Sequence, residues 1–152
     1  VPQEQRDHED LDRELIEFLN ELRVALPGVQ VLFAFLLAVP FANGWEKVDE
    51  SQKYAFMVAL LAAALGTVLL IAPTTYHRIR WREHDKEQLL RTSNRLAIAG
   101  TGCVAVGMTA AVYLVTDTVF GALVSGIVTS LVAAVFAWFW YGLPLWRRVE
   151  RR

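Results

Sequence analysis

The chain is poor in the residues that usually carry chemistry. Its 152 residues include one cysteine and three histidines. A lone Cys103 excludes an internal disulfide and a multi-cysteine zinc site. It lies inside an apolar run, where a free cysteine packs as a small hydrophobe. There is no GxSxG elbow, and no base lies near Cys103 in sequence. His77 and His84 stand seven apart with Asp85 and Glu87 nearby, but basic residues separate them. We read them as part of a solvated interfacial loop, with no metal and no cofactor. These absences give no support for an enzyme.

Charge is missing where it would matter most. No Asp, Glu, Lys, Arg or His lies in the middle of any of four long apolar runs. Ion-coupled transporters and proton pumps usually keep a titratable group at that depth. Proton coupling through the spans is therefore not expected. The nearest carboxylate, Asp117, falls in a predicted outer turn, and Gln30 is the one amide within a span.

What is present is a sharp segregation of residue types. The chain is 55% hydrophobic and 20% charged. The charges sit in blocks between apolar runs of about 20 residues, the length a helix needs to cross a bilayer. The pattern predicts an all-α, four-helix integral membrane bundle preceded by an amphipathic helix. Residues 1–23 form an acidic arm, 24–146 the transmembrane domain, and 147–152 a basic tail. The spans are expected at about 24–42, 54–72, 96–115 and 119–141, with a loop at 76–95.

Within the arm, Leu11, Leu15, Phe18 and Leu22 recur at spacings of four, three and four, so they form one stripe of a helix. Acidic residues cover most of the remainder, and anionic lipid should repel them. The stripe is expected to pack on protein: a second copy, a partner, or the chain's own basic loop. The first 23 residues hold eight acids and three arginines, the opposite of a basic leader, so the first apolar run is expected to direct insertion. Pro27-Gly28 suggests a hinge between arm and span, and Pro73 an end or kink in the second span. Thr92, Ser93 and Asn94 offer N-caps for the third span. Thr116-Asp117-Thr118 reads as a very short outer turn.

Thirteen of the fifteen Lys and Arg residues lie in the arm, the middle loop and the tail. Positive charge stays cytoplasmic during insertion, so both termini are expected in the cytoplasm. Abundant Arg, Ala and Val hint at a GC-rich bacterial genome, hence a bacterial plasma membrane. The aromatic residues agree, with Trp45, Tyr54, Tyr113 and Phe120 at the outer edge and Trp81, Trp138, Trp140 and Trp146 near the inner one.

Helix association in lipid relies on close packing through small residues. The fourth span offers two rows at four-residue spacing: Ala122, Gly126, Ser130 and Ala134, and Gly121, Ser125, Thr129, Ala133 and Ala137. The third offers Ala99, Cys103, Gly107 and Ala111, and the second Ala55, Ala59 and Ala63. These rows fit a tightly packed bundle. Ser125, Thr129 and Ser130, with Thr101, Thr109 and Gln30, could also line a polar path. Hydroxyls bond readily to their own helix, so their presence alone proves no pore.

Arg78, Arg80 and Arg82 with Trp81 form a basic, aromatic cluster at the inner membrane face, and Arg147 and Arg148 begin the tail. Binding of anionic lipid headgroups or of the acidic arm suits them. Positive-inside insertion explains the same residues. Nucleic-acid binding has no support, because the basic residues lie at the membrane face.

Three stretches carry a family resemblance: ELRVALPGVQVLFAFLL at 21–37, APTTYHRIRWREHDKEQLLRTSNRLAIAG at 72–100 and WFWYGLPLWRR at 138–148. Together they resemble an uncharacterised family of small actinobacterial four-span membrane proteins. Its members are sometimes labelled sodium:proton antiporter, so the resemblance implies transport. Four spans enclose little interior, and a pore would need several subunits. The expectation is a homo-oligomer for ion permeation or transport. The alternative is a non-transporting accessory or scaffold subunit whose acidic arm docks a partner.

Overall fold

The computed structural model describes the backbone of residues 3–79, 86–144 and 146, and the side chains of 13, 16–75, 88, 90–144 and 146. Four helices follow one another: α1 (Gln3–Ala38), α2 (Glu50–Ile79), α3 (Lys86–Phe120) and α4 (Ala122–Phe136). Two 3-10 turns, Val39–Phe41 and Trp45–Lys47, link α1 to α2. A π-helical turn, Ala137–Gly142, continues α4. The protein is thus an all-α bundle. Four stretches are long and apolar enough to cross a membrane: Ile16–Phe41, Glu50–Thr75, Leu90–Phe120 and Ala122–Gly142, the first and last running on from α1 and α4 into the adjoining 3-10 and π-helical turns.

The packing follows a seven-residue rhythm. The buried residues of α2 are Gln52, Phe56, Ala59, Ala63, Gly66, Leu70 and Pro73, at alternating spacings of four and three. On α3 the matching seam is Ser93, Ala97, Gly100, Val104, Gly107 and Leu114. Leu22, Val29 and Leu36 repeat every seven residues on α1. Such a seam stays on one face of a slightly supercoiled helix and gives knobs-into-holes packing. The four-residue rows expected from sequence behave differently. Each step of four overshoots a full turn by about 40°, so the row leaves the contact face after a few steps. Ala99 accordingly is exposed, Cys103 half-buried and Gly107 buried.

α2 and α3 approach closely because the seam is built from small residues. Ala59 and Ala63 are completely buried. A Cβ on Gly107 would lie 3.2 Å from the Ala59 carbonyl oxygen and 3.3 Å from the Ala63 nitrogen. One on Gly66 would lie 2.9 Å from Val104 Cγ2. α1 covers one side of this pair. Leu22 and Val29 pack with Leu70, Ala97 and Val104, and Leu36 packs with Phe56, Ala59, Ala63 and Leu114. Among the described residues α4 packs only on α3 and on its own π-helical continuation.

Several boundaries differ from the sequence reading, each for a local reason. α1 runs through Pro27 without a break, so arm and span are one helix. Proline's fixed φ suits a helix, and the lost hydrogen bond is one that membrane helices tolerate. α2 likewise runs through Pro73, which is buried on the seam. Thr92, Ser93 and Asn94 lie inside α3 rather than capping it, with Ser93 fully buried at a seam position. The expected turn at Thr116-Asp117-Thr118 is the last turn of α3. Thr116 and Thr118 donate to the carbonyls of Val112 and Leu114, bonds a helix accommodates. The chain reverses instead at Gly121, whose φ of +81° favours glycine.

Candidate functional site

The polar side chains collect at the end of the bundle where α3 turns into α4. Asp49 caps α2. Its Oδ1 accepts from the Gln52 backbone N–H at 2.8 Å, while Gln52 Oε1 accepts from the Asp49 N–H at 3.2 Å. This reciprocal arrangement is a capping box. Ser51 Oγ also donates to Asp49 Oδ1, at 2.8 Å. With its oxygen engaged, Gln52 still has an amide nitrogen to donate, and Nε2 does so to Asp117 Oδ2 at 2.8 Å. The other oxygen of Asp117 lies 3.0 Å from Ser125 Oγ on α4. That hydroxyl also lies 3.0 Å from the Ala122 carbonyl. Asp117 therefore ties three helices together through acceptor-only contacts with Gln52 and Ser125, both buried.

The cap has a pH signature. The Gln52 backbone N–H, then the Ser51 hydroxyl, lower the Asp49 pKa from 3.8. A lowered folded-state pKa contributes stability that is present above the unfolded value and lost as pH falls through the folded one. Protection of the Gln52 and Lys53 amides from hydrogen exchange is expected to hold at pH 5–7 and to fall as pH drops below about 4. An Asp49→Ala variant should show the low protection at every pH. Unchanged protection in that variant would remove the cap from the account.

A second tie lies toward the other end of α4. Tyr141 Oη donates to the Ile98 carbonyl at 2.9 Å and lies 3.2 Å from Thr101 Oγ1. Between the two ties, α3 and α4 face each other with mostly small side chains. They leave a groove of about 640 Å³, whose floor and walls include Gly102, Ala105, Thr109, Ala133 and Ala137, with Ala55 and Val58 of α2 at its edge. Tyr113 and Tyr141 stand at its ends. Among the described residues nothing charged lines it.

The candidate residues named from sequence fall into distinct places. Thr109 and Thr129 line the groove. Thr109 donates to its own helix at the Ala105 carbonyl, 2.7 Å away. Thr129 Oγ1 is buried and has no hydrogen-bond partner among the described residues. Thr101 belongs to the Tyr141 tie and Ser125 to the Asp117 tie. Ser130 is exposed on α4 and Gln30 is exposed on α1. The candidates thus do not converge on one path within the chain. Of the arm stripe, Leu22 is buried and Phe18 packs against the α1–α2–α3 core. Phe18 also borders a hollow of about 290 Å³ with Leu90, Arg91 and Asn94 of α3. That part of the stripe packs on the chain's own helices. Leu11 and Leu15 lie on α1, but their side chains and that of Arg78 lie outside the described residues, as do Arg80, Trp81, Arg82, Arg147 and Arg148.

Sequence reading missed Gln52, which it placed in the outer loop. The signal was available: Asp49-Glu50-Ser51-Gln52 has the capping-box spacing just before an apolar run. Among the described residues no group of three or more His, Cys, Asp or Glu side chains could hold a metal ion.

Comparison with curated proteins and with solved structures finds no match. A family of unknown function (DUF6328) matches residues 4–144, nearly the whole of this four-helix unit, and the chain belongs to that family.

Proposed function

We propose that this is a non-enzymatic, multi-pass protein of the bacterial plasma membrane, with both termini cytoplasmic, that works as a subunit of an assembly of its own copies. One observation carries the reading. Among the described residues α4 packs on a single neighbouring helix and only 6% of its span is buried, leaving Ala122, Gly126, Ser130 and Ala134 uncovered. Among the described residues nothing lies within 4 Å of a Cβ added at Gly126 beyond its own helix. The exposed amide of Gln30 adds support, since a polar group facing hydrocarbon costs free energy until another helix pairs it. The one-sided distribution of Lys and Arg supports the orientation. The cytoplasmic basic clusters would then meet anionic headgroups or the acidic arm.

Gly126→Leu tests this reading, because the open space spares the fold of the single chain. Sedimentation in a mild detergent should show wild-type oligomers, and the variant should shift at least tenfold toward monomer. A wild-type protein that is monomeric at every concentration, in detergent and in liposomes, would overturn it.

Ion permeation through such an assembly is the second reading. It is favoured by two uncovered polar side chains among the candidates, Gln30 and Ser130, which copies could bring together. Most of the other hydroxyls are engaged within the chain, and both oxygens of Asp117 accept hydrogen bonds. Antiport coupled through a free carboxylate within the spans is therefore not proposed. Reconstituted flux of common cations and anions tests permeation, and its absence in folded protein leaves the non-transporting subunit.

A further inference from the structure

We propose that the groove between α3 and α4 is a binding site for the hydrocarbon chain of a membrane lipid. The inference rests on the membrane reading above but not on self-association. The polar ties at Asp117 and Tyr141 hold α4 to α3 near the two ends, and between them the helices leave about 640 Å³ unfilled. An apolar space of this size does not stay empty in a packed protein, and it offers water too few polar partners. The occupant must therefore be apolar.

Its shape follows from the lining. Gly102 and Tyr113, near the two ends on α3, are eleven residues apart, or about 16 Å at 1.5 Å per residue. A flexible hydrocarbon chain suits a groove of this length and apolar lining. The length also agrees, since one leaflet contributes about 15 Å of hydrocarbon.

The two ends differ in a way that orients the chain. At the Tyr113 end, the Tyr113 and Ser51 hydroxyls lie 3.5 Å apart, and Ser51 is exposed in the first turn of α2. That pair suits the ester or headgroup level of a lipid. At the other end the Tyr141 ring closes the groove, its hydroxyl already committed to the Ile98 carbonyl. A lipid would thus enter from the Gly121 end of the bundle, with its chain running toward Tyr141.

The full chain is reconstituted into phosphatidylcholine nanodiscs containing a phospholipid with a mid-chain diazirine. After irradiation, peptide mapping locates the labelled residues. Labelling is expected at Val106, Thr109, Ala110 and Ala133 at least fivefold above Leu123, Ile127 and Leu131 on the exposed face of α4. Ala133→Phe, which fills the groove, should lower groove labelling about tenfold and leave the exposed face unchanged. Uniform labelling of all exposed apolar residues overturns the proposal and leaves the membrane reading intact. Groove residues shielded from lipid but cross-linked to a second copy also overturn it, in favour of a protein occupant. No labelling anywhere overturns both. The wild-type map decides the matter even if the variant does not fold.

Discussion

Gly107→Leu should unfold the bundle or cost it about 3 kcal/mol or more, read from reversible unfolding in mixed micelles. The reason lies in what faces Gly107. A Cβ there would already stand 3.2 Å from the Ala59 carbonyl oxygen and 3.3 Å from the Ala63 nitrogen. Both are backbone atoms of α2, and neither can swing aside as a side-chain tip would. The leucine can be accommodated only if the helices separate along their length. Separation forfeits the close contact of Ala59, Ala63, Gly66 and Gly100, which is the main attraction between helices in a solvent as apolar as they are. Gly107→Ala asks for a shift of only a few tenths of an ångström and should cost about 1 kcal/mol. Gly126→Leu, in open space, should leave this unfolding transition where it is. A Gly107→Leu protein that unfolds like wild type would refute the seam as the origin of the fold.

The sequence shows this architecture more clearly than it shows the contacts. Apolar runs of bilayer length identify four helices because a backbone in lipid must satisfy its own hydrogen bonds, and a helix does so locally. Helix ends were harder. Proline, threonine-serine and threonine-aspartate signals describe what a chain prefers in water, and at Pro27, Pro73, Ser93 and Thr116 tertiary packing and the helical back-bonds of hydroxyls prevail. The seam was visible in principle. Gln52, Phe56, Ala59, Ala63, Gly66, Leu70 and Pro73 keep a strict seven-residue period. Hydrophobicity alone cannot reveal it, because the other faces of α2 are just as apolar. Small size at four-residue spacing was a partial proxy, correct over one or two steps before it drifts off the face. The Asp117 cluster needed the fold. Gln52, Asp117 and Ser125 are separated by 65 and 8 residues in sequence, and only the antiparallel pairing of α2 with α3 joins the first two.

The same cluster yields the second large effect. Asp117→Ala should cost about 2–3 kcal/mol. Hydrogen bonds inside membrane proteins average about 0.6 kcal/mol and reach about 1.7, so two neutral bonds alone would give less. Two features raise the figure. The acceptor is a carboxylate, and its loss strands a buried donor. Gln52 is 8% exposed and its oxygen is held by the Asp49 N–H, so its Nε2 has no other acceptor among the described residues. Ser125 suffers less, because it keeps the Ala122 carbonyl. Asp117→Asn retains one acceptor and should cost about half as much. Removing Gln52 as well should add little, since the stranded donor goes with it, and a double-mutant cycle should show that coupling. Fully additive costs would mean that the two side chains do not interact. The loss should also be local. α4 is held to α3 by polar contacts near both ends, and Tyr141 keeps the second. Exchange should therefore rise in the first turns of α4, through Ser125, while the α2–α3 seam stays protected. If the groove lodges a lipid chain, the same variant should hold it less tightly, because the tie at the Asp117 end sets how far the two helices stand apart.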